Sequence, residues 1–262
     1  MQLTIDGHPA FCHTGDTAFD AAQPTVVLVH GALNDHSVWA PQSRALAARG
    51  FAVLAPDLPG HGRSSGPALH SVEALADWLL ALLDAAGVER ALLAGHSMGS
   101  LVVLEAAQRA PQRAAGLALL GATFPMKVAD ALLATALEDA GSAIDMVVAW
   151  SHAPSNDPSV ADAARDLMQR LAAGSSEPLL HIDLAACNAY GNGMTAAASI
   201  TCPVVFVQGT LDKMTPPRKA AALTDAIARA TVVTVETGHA MMQEAPEAVS
   251  GALLAQAERT LS

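Results

Sequence analysis

The sequence predicts an α/β fold in which a mostly parallel, eight-stranded sheet carries helices on both faces and a helical insertion between strands 6 and 7. Three observations support this prediction. Short apolar runs alternate with helical patterns, the runs are apolar on both faces as buried parallel strands require, and one long interval contains helical patterns alone. The chain of 262 residues is long enough for one large domain of this class.

The predicted strands begin with a hairpin that pairs Leu3–Asp6 with Ala10–Thr14 across Gly7. The six following strands are Thr25–His30, Ala52–Ala55, Ala91–Ala94, Gly116–Leu120, Pro203–Gly209 and Thr231–Glu236. Helical patterns cover Pro41–Arg49, Ser71–Ala86, Met98–Arg109 and Pro217–Ala230. Because no convincing strand lies between about Thr123 and Ser199, we expect residues 123–199 to interrupt a core made of residues 1–122 and 200–262.

Composition excludes several classes of function. The net charge is −11 and no basic stripe is present, which argues against binding to nucleic acid or to an anionic membrane. The three cysteines are far apart, and the N-terminus has neither the basic nor the apolar region of a signal peptide, so we expect a cytoplasmic protein. The ten histidines show no metal-ligand spacing, and neither a metal nor another cofactor is expected.

The most informative segment is Gly95-His96-Ser97-Met98-Gly99, which follows a predicted strand and opens a predicted helix. A G-x-S-x-G segment in that context is a nucleophile elbow, a strained turn that exposes the serine hydroxyl and requires small neighbours two residues away. The start of the helix favours negative charge that develops at the serine. Ser97 is therefore the candidate nucleophile.

A serine hydroxyl needs a base, and the base needs a group that orients it. On this scaffold the order along the chain is serine, acid, histidine. His239 follows the last predicted strand and is the candidate base, whereas His152 and His181 fall within the helical interval. Asp212 follows the strand Pro203–Gly209 and is the candidate acid; its alternative role is to cap the helix that starts near Pro217.

The oxyanion of the tetrahedral intermediate that forms when a serine attacks a carbonyl carbon needs two N–H donors. One is expected from Met98, the residue after the nucleophile, and the other from Ala32 in the loop after the strand Thr25–His30. Asp57 precedes the serine in the chain and is interpreted as a residue that organises the loop Asp57–Ser64.

With these motifs in order, the chain resembles the α/β-hydrolase superfamily. The resemblance rests on His30-Gly31, Asp57–Ser64, Gly95–Gly99, Gly209–Pro216, and Gly238-His239 followed by Glu244-Ala245-Pro246. It implies that the 123–199 insertion is a helical cap over the active site. It also implies catalytic roles for Ser97, Asp212 and His239 and oxyanion roles for Ala32 and Met98.

Differences from other members of this superfamily reduce the number of reactions that the chain is expected to catalyse. A serine stands where dehalogenases and epoxide hydrolases of this superfamily carry an aspartate, and the loop His30-Gly31-Ala32-Leu33-Asn34 lacks the His-Gly-Gly-Pro-Gly of proline iminopeptidases. The expected function is hydrolysis of small, mostly apolar carboxylic esters, thioesters or lactones through an acyl-enzyme. The alternatives are a carbon–carbon bond hydrolase, for which Arg165, Arg170, Lys127, His152 and His181 offer polar groups, and a ligand receptor on the same fold.

Overall fold

A computed structural model describes residues 1–154 and 157–261. The eight strands of the described chain are β1 (Gln2–Ile5), β2 (His8–His13), β3 (Thr25–Val29), β4 (Ala52–Pro56), β5 (Ala91–His96), β6 (Ala114–Leu120), β7 (Val204–Gly209) and β8 (Ala230–Val235). They form one sheet in the order β1-β2-β4-β3-β5-β6-β7-β8. Pairing is antiparallel between β1 and β2 and between β2 and β4, and parallel from β4 to β8. The predicted fold class is confirmed.

The helices that pack on the sheet are α1 (Ala40–Ala48), α2 (Val72–Ala85), α3 (Met98–Arg109), α9 (Pro217–Ala226) and α11 (Pro246–Leu261), with the short α10 (Met241–Glu244) before the last of them. Side chains of β3 alternate between two buried clusters. Val27 and Val29 pack with α2, α3 and α9, whereas Val26 and Leu28 pack with α1 and α11. The apolar character of both faces of the central strands thus follows from helices on both sides.

The interval between β6 and β7 contains α4 (Asp130–Glu138), α5 (Ala140–Ser151), α6 (Pro158–Gly174), α7 (Leu179–Ala189) and α8 (Gly193–Ser199). Helices α4 to α7 share a third apolar cluster that also includes Leu33 from the loop after β3. The helical insertion therefore packs over the carboxyl end of the parallel strands, where ligands of such sheets bind. None of the described helices combines the length and apolar character needed to cross a membrane.

Three local features differ from the sequence-based expectation. The strand β8 lies at the edge of the sheet, and Val232 and Val233 on it are 46% and 37% exposed, although its sequence resembles a buried strand. Helix α9 ends at Ala226, because Ile227 already has an extended backbone, whereas the pattern suggested Ala230. Helix α11 was not predicted; Val249, Leu253 and Ala257 on one of its faces are fully buried against the sheet.

Candidate active site

Ser97 occupies a strained turn between β5 and α3. Its backbone has a φ of 53° and a ψ of −117°, a region that residues other than glycine rarely adopt. A Cβ on Gly95 would lie 2.1 Å from the carbonyl oxygen of Gly99, and a Cβ on Gly99 would lie 2.3 Å from that of Val29. The turn fits here because both positions lack a side chain, as the spacing of the two glycines predicts.

His239 lies in the loop after β8 and contacts Asp212 in the loop after β7. Nδ1 of the ring is 2.7 Å from Oδ2 of the carboxylate, and both side chains are buried. Thr215 donates its hydroxyl to the same oxygen at 2.7 Å, and its N–H donates to Oδ1 at 2.8 Å. Because an ionised carboxylate only accepts hydrogen bonds, the ring proton belongs on Nδ1, and Nε2 remains the basic nitrogen.

The charge of Asp212 is maintained by its neighbours. Burial alone would raise the pKa of this carboxyl, but His239 and the hydrogen bonds from His239 and Thr215 hold the pKa well below its ordinary value. Asp212 is therefore ionised at neutral pH.

Ser97 lines the same cavity as His239, and no hydrogen bond of the described residues joins the Ser97 hydroxyl to the His239 ring. Catalytic hydrogen bonds often tighten only when substrate binds.

The loop after β3 lies against the elbow. A Cβ on Gly31 would lie 3.2 Å from the Cβ of Ser97, so the absence of a side chain allows this close approach. Ala32 lines both cavities that reach Ser97. Met98 is the first residue of α3, where backbone N–H groups have no partner within the helix. The structure thus brings both predicted donor residues beside the serine.

The helical insertion is tied to the loop that carries His239. The carbonyl oxygen of Ser151, at the end of α5, accepts a hydrogen bond of 2.6 Å from the N–H of His239. Glu244 accepts hydrogen bonds from the N–H of Gly238 at 2.5 Å and of Ala153 at 2.9 Å. One backbone hydrogen bond and the bridging Glu244 carboxylate thus hold the histidine loop against the insertion.

Hydrogen bonds also join the insertion to the loop that carries Ala32. Asp183 of α7 is buried, and its Oδ2 accepts hydrogen bonds from the N–H of Leu33 at 2.8 Å and from Nε2 of His61 at 3.0 Å. Burial alone would lower the pKa of His61, but the Asp183 carboxylate raises it above its usual value. The protonated ring also donates from Nδ1 to the Pro59 carbonyl at 3.0 Å, so both ring nitrogens are satisfied.

His96 supports the main chain of the histidine loop. Its Nε2 donates to the carbonyl oxygen of His239 at 2.8 Å, and the two ring centroids are 4.6 Å apart. Burial and the neighbouring His239 lower the pKa of His96 to about 3. The ring is therefore neutral and acts as a hydrogen-bond donor, while its Nδ1 has no partner among the described residues.

Two cavities meet at Ser97. The first has a volume of about 70 Å³, includes His239 in its wall, and is mostly apolar; its apolar lining includes Val147, Val148, Ala164, Met168, Leu180, Leu184, Met214 and Met242. The second has a volume of about 200 Å³ and a mixed lining that includes Met126, Val128, Leu132, Trp150, Leu184, Lys127, Lys213 and Lys219. The insertion therefore supplies much of the wall of both cavities.

Of the polar residues of the insertion that the sequence singled out, His152 lines the first cavity and Lys127 the second. Arg165 forms ion pairs with two carboxylates of the insertion instead. Arg170 lines a separate surface pocket, and Nδ1 of His181 bonds to a backbone carbonyl 2.9 Å away.

Asp35, His36 and Asp57 are close enough to hold a metal ion, with potential ligand atoms within 4.8 Å of one another. Asp57 already accepts hydrogen bonds from the N–H and Nδ1 of His36, at 2.8 and 2.7 Å, and from the N–H of Arg63 at 2.8 Å. Its two oxygens hold the loop between β4 and α2 in place, in agreement with its interpretation as an organising residue.

The roles of Thr215, Glu244 and Asp183 are not predicted by the sequence motifs. Thr215 lies three residues after Asp212, the spacing at which a hydroxyl and an N–H return to the same carboxylate. Glu244 lies in the motif Glu244-Ala245-Pro246, which indicates no partner for its side chain. Asp183 had one usable signal, since it lies between the apolar residues Ile182 and Leu184 of a helical pattern, and a buried acid requires a partner.

Comparisons with known proteins agree with this architecture. The chain matches the model of the Alpha/beta hydrolase family over residues 26–252. A thermophilic esterase from Thermogutta terrifontis superposes with a TM-score of 0.85 at 23% identity, covering 100% of this chain and 99% of that chain.

Two curated relatives are similar over shorter segments. An acetyltransferase component of the acetoin cleaving system of Pseudomonas putida is 46% identical over 96 residues, which are 36% of this chain and 26% of that protein. Epoxide hydrolase A of Mycobacterium tuberculosis is 39% identical over 106 residues, 39% of this chain and 33% of that protein. The matched segments thus span about a quarter to a third of these relatives. Because the family match extends over most of its length, the chain belongs to the alpha/beta hydrolase family.

Proposed function

We propose that the chain is a serine hydrolase that cleaves small, mostly apolar carboxylic esters, thioesters or lactones. Ser97 is the nucleophile, His239 the general base and Asp212 the residue that orients the histidine. One observation carries this proposal: the buried Nδ1–Oδ2 contact of 2.7 Å leaves Nε2 of His239 basic in the cavity that Ser97 also lines. A histidine oriented in this way is what activation of a serine requires.

In the proposed reaction, Nε2 of His239 takes the proton of Ser97 as Oγ attacks the carbonyl carbon of the substrate. The N–H groups of Ala32 and Met98 stabilise the resulting oxyanion, a contribution of about 3 to 4 kcal/mol per donor in enzymes of this kind. His239 then gives the proton to the leaving alkoxide, and an acyl group remains on Ser97. Attack by water, with His239 again as base, releases the acid and restores the serine.

The residue at position 97 favours this reaction over epoxide opening. Epoxide hydrolases of the superfamily use an aspartate as the nucleophile at the elbow, where this chain has a serine. Asp212, the aspartate of the proposed triad, is held by Thr215 and His239 and is not free to attack a substrate. Carbon–carbon hydrolysis and a receptor role remain alternatives. Of the polar groups considered for a dicarbonyl substrate, only His152 and Lys127 line the cavities among the described residues.

We also propose that residues 123–199 act as a cap on a core formed by residues 1–122 and 200–262. The contacts of Asp183 with the loop after β3, and of Ser151 with the histidine loop, support this division. A reducing, cytoplasmic location is proposed from the cysteines, since Cys12, Cys187 and Cys202 are all unpaired thiols. The proposed partner is a small ester-like molecule rather than nucleic acid.

The test is labelling with a fluorophosphonate, followed by mass spectrometry of the adduct, and turnover of p-nitrophenyl butyrate. We expect a single adduct on Ser97 and loss of turnover in Ser97→Ala. The matched control is Ser100→Ala, one helical turn further on, whose hydroxyl already donates to the Ser97 carbonyl at 2.5 Å. Labelling at another residue, or normal turnover in Ser97→Ala, would reject the proposal.

A further inference from the structure

The second cavity beside Ser97 brings together all the lysines of the chain. The sequence contains three lysines, and Lys127, Lys213 and Lys219 all line this cavity. They come from three separate segments: the start of the helical insertion, the loop that carries Asp212, and the first turn of α9. The fold thus collects the lysines on one side of the candidate nucleophile.

The charges of these lysines are not neutralised by the protein. Five arginines form ion pairs with carboxylates, namely Arg44, Arg49, Arg109, Arg113 and Arg165. Within residues 1–154 and 157–261, no lysine does so, and no described residue in the lining of the cavity is Asp or Glu. The lining of this cavity therefore carries three positive charges and no negative one, although the chain has a net charge of −11, and such a lining favours anions.

The same cavity has an apolar part. Met126, Leu132 and Leu184 in its lining are buried, whereas the three lysines are exposed. The ammonium of Lys127 is held in place by a hydrogen bond of 2.9 Å to the carbonyl oxygen of Asn188, and its other protons can bind a ligand. A ligand that fits this wall has apolar methylene groups and an anionic end.

The position of His239 indicates which part of the substrate this is. As general acid, His239 protonates the leaving alkoxide, so the alcohol group must lie on the histidine side of the serine. His239 lines the first, apolar cavity and does not belong to the lining of the second. The acyl group of the substrate is then directed toward the lysines.

We infer that the cavity lined by lysines binds the anionic end of the acyl group, so that the substrate is an ester or thioester whose acyl chain ends in a carboxylate. This inference rests on the proposed function. Hydrolysis takes up one water and yields a dicarboxylate, a neutral alcohol or thiol, and one proton, which is the acid that a titration measures. The mostly apolar character of the proposed substrate thus applies to the alcohol side and to the middle of the acyl chain.

The test compares two esters of the same acyl chain, monomethyl adipate and dimethyl adipate, by titration of the acid released. After correction for the two ester bonds of dimethyl adipate, we expect kcat/KM to be about tenfold higher for the anionic ester. Several solvent-exposed ion pairs of modest strength give an effect of this order. The preference should decrease at about 0.5 M NaCl, because salt screens exposed charges.

The variants Lys127→Met, Lys213→Met and Lys219→Met should each lower this ratio, and the triple variant should bring it close to one. Arg218→Met is the matched control: it removes a positive charge next to Lys219 in sequence but outside the lining of the cavity, and should keep the ratio. A thermal melt of each variant shows whether it is folded.

Other results would overturn the inference. Equal kcat/KM for the two esters, an equal decrease of the ratio in Arg218→Met, or a preference only for an anionic alcohol group, tested with the butyryl ester of 3-hydroxypropanoate against propyl butyrate, would each do so. Failure of the proposed function itself is distinguishable, because turnover of dimethyl adipate would then be absent or would persist in Ser97→Ala.

Discussion

Asp183 accepts a hydrogen bond of 2.8 Å from the N–H of Leu33, although 150 residues separate the two in the chain. Leu33 follows Ala32, the proposed oxyanion donor, and has a φ of 46°, a conformation that is unfavourable for a leucine. The fully buried Leu33 side chain packs in the apolar cluster of the insertion. An acid of the helical insertion thus holds the loop that carries the proposed oxyanion donor.

The first prediction concerns this contact. Removal of the acceptor in Asp183→Ala should lower kcat by about tenfold, with a smaller change in KM, because a displaced donor costs less than the roughly 10²- to 10³-fold loss of a whole one. Asp183→Asn keeps an oxygen for the Leu33 N–H and should recover most of the rate. Asp166→Ala, an exposed acid on α6, is the control. Equal kcat in wild type and Asp183→Ala would show that the loop holds its own geometry.

The second prediction is that His61 makes the stability of the folded protein depend on pH. The Asp183 carboxylate raises the pKa of His61 in the folded protein against the opposing effect of burial. A histidine with a raised pKa stabilises the fold fully below its unfolded pKa, and this stabilisation is lost as the pH rises through the folded pKa. His61→Gln should therefore destabilise the protein more at about pH 5.5 than at about pH 9.

Urea unfolding of wild type and His61→Gln at both pH values provides the measurement. His70→Gln, at an exposed histidine, is the matched control and should show little change at either pH. A destabilisation by His61→Gln that is constant, or larger at high pH, would mean that the His61–Asp183 contact is not an ion pair.

Much of the fold and of the candidate site could be predicted because the signals for them lie in short segments of the sequence. The glycines around Ser97, the alternation of strands and helices, and the positions of Asp212 and His239 after strands are all visible in short windows. The role of Asp183 depends instead on how the insertion packs over the core, and nothing near residue 183 specifies the partner Leu33. Likewise, the three lysines are distant in sequence, and only the fold places them in one cavity.

The exposure of β8 at the edge of the sheet also could not be predicted from local sequence. The residues of Ala230–Val235 have the β-branched character of a buried strand, but the burial of a strand depends on what covers it. Helix α9 and helix α11 leave Val232 and Val233 partly exposed. Helix α11 was not predicted for another reason. Its apolar residues are interleaved with Gly251 and polar side chains, so the helical pattern is weak in sequence.

The third prediction concerns Asp212. Since its pKa lies well below the ordinary value, Asp212 stays ionised as the pH falls, and its stabilising contribution is lost only in strong acid. A decrease of activity in mild acid should therefore not come from protonation of Asp212. Asp212→Asn should lower kcat by about 10⁴-fold, as in serine proteases, because the amide no longer fixes the ring tautomer.

Steady-state kinetics of Asp212→Asn beside Asp225→Asn, an exposed acid on α9, would check this value. Thr215→Val adds a finer test, since it removes the hydroxyl that donates to Asp212 at 2.7 Å. We expect a decrease of kcat of about tenfold, the order of one charge-assisted hydrogen bond, and recovery in Thr215→Ser. A near-normal rate in Asp212→Asn would mean that another group orients His239.

The fourth prediction compares two glycines that lie in helices. A Cβ on Gly99 would lie 2.3 Å from the carbonyl oxygen of Val29 and 2.6 Å from that of His30, and neither backbone group can move without displacing β3 or the loop that carries Ala32. Gly251 in α11 has nothing within 4 Å of such a Cβ. Gly99→Ala should therefore destabilise the protein by about 3 kcal/mol or more and abolish labelling of Ser97, because overpacking against backbone is costly. Gly251→Ala should stabilise it by about 0.5 to 1 kcal/mol through the lower entropy of the unfolded chain. Urea unfolding measures both changes, and a stable, labelled Gly99→Ala protein would show that α3 and β3 are farther apart than the close packing described above.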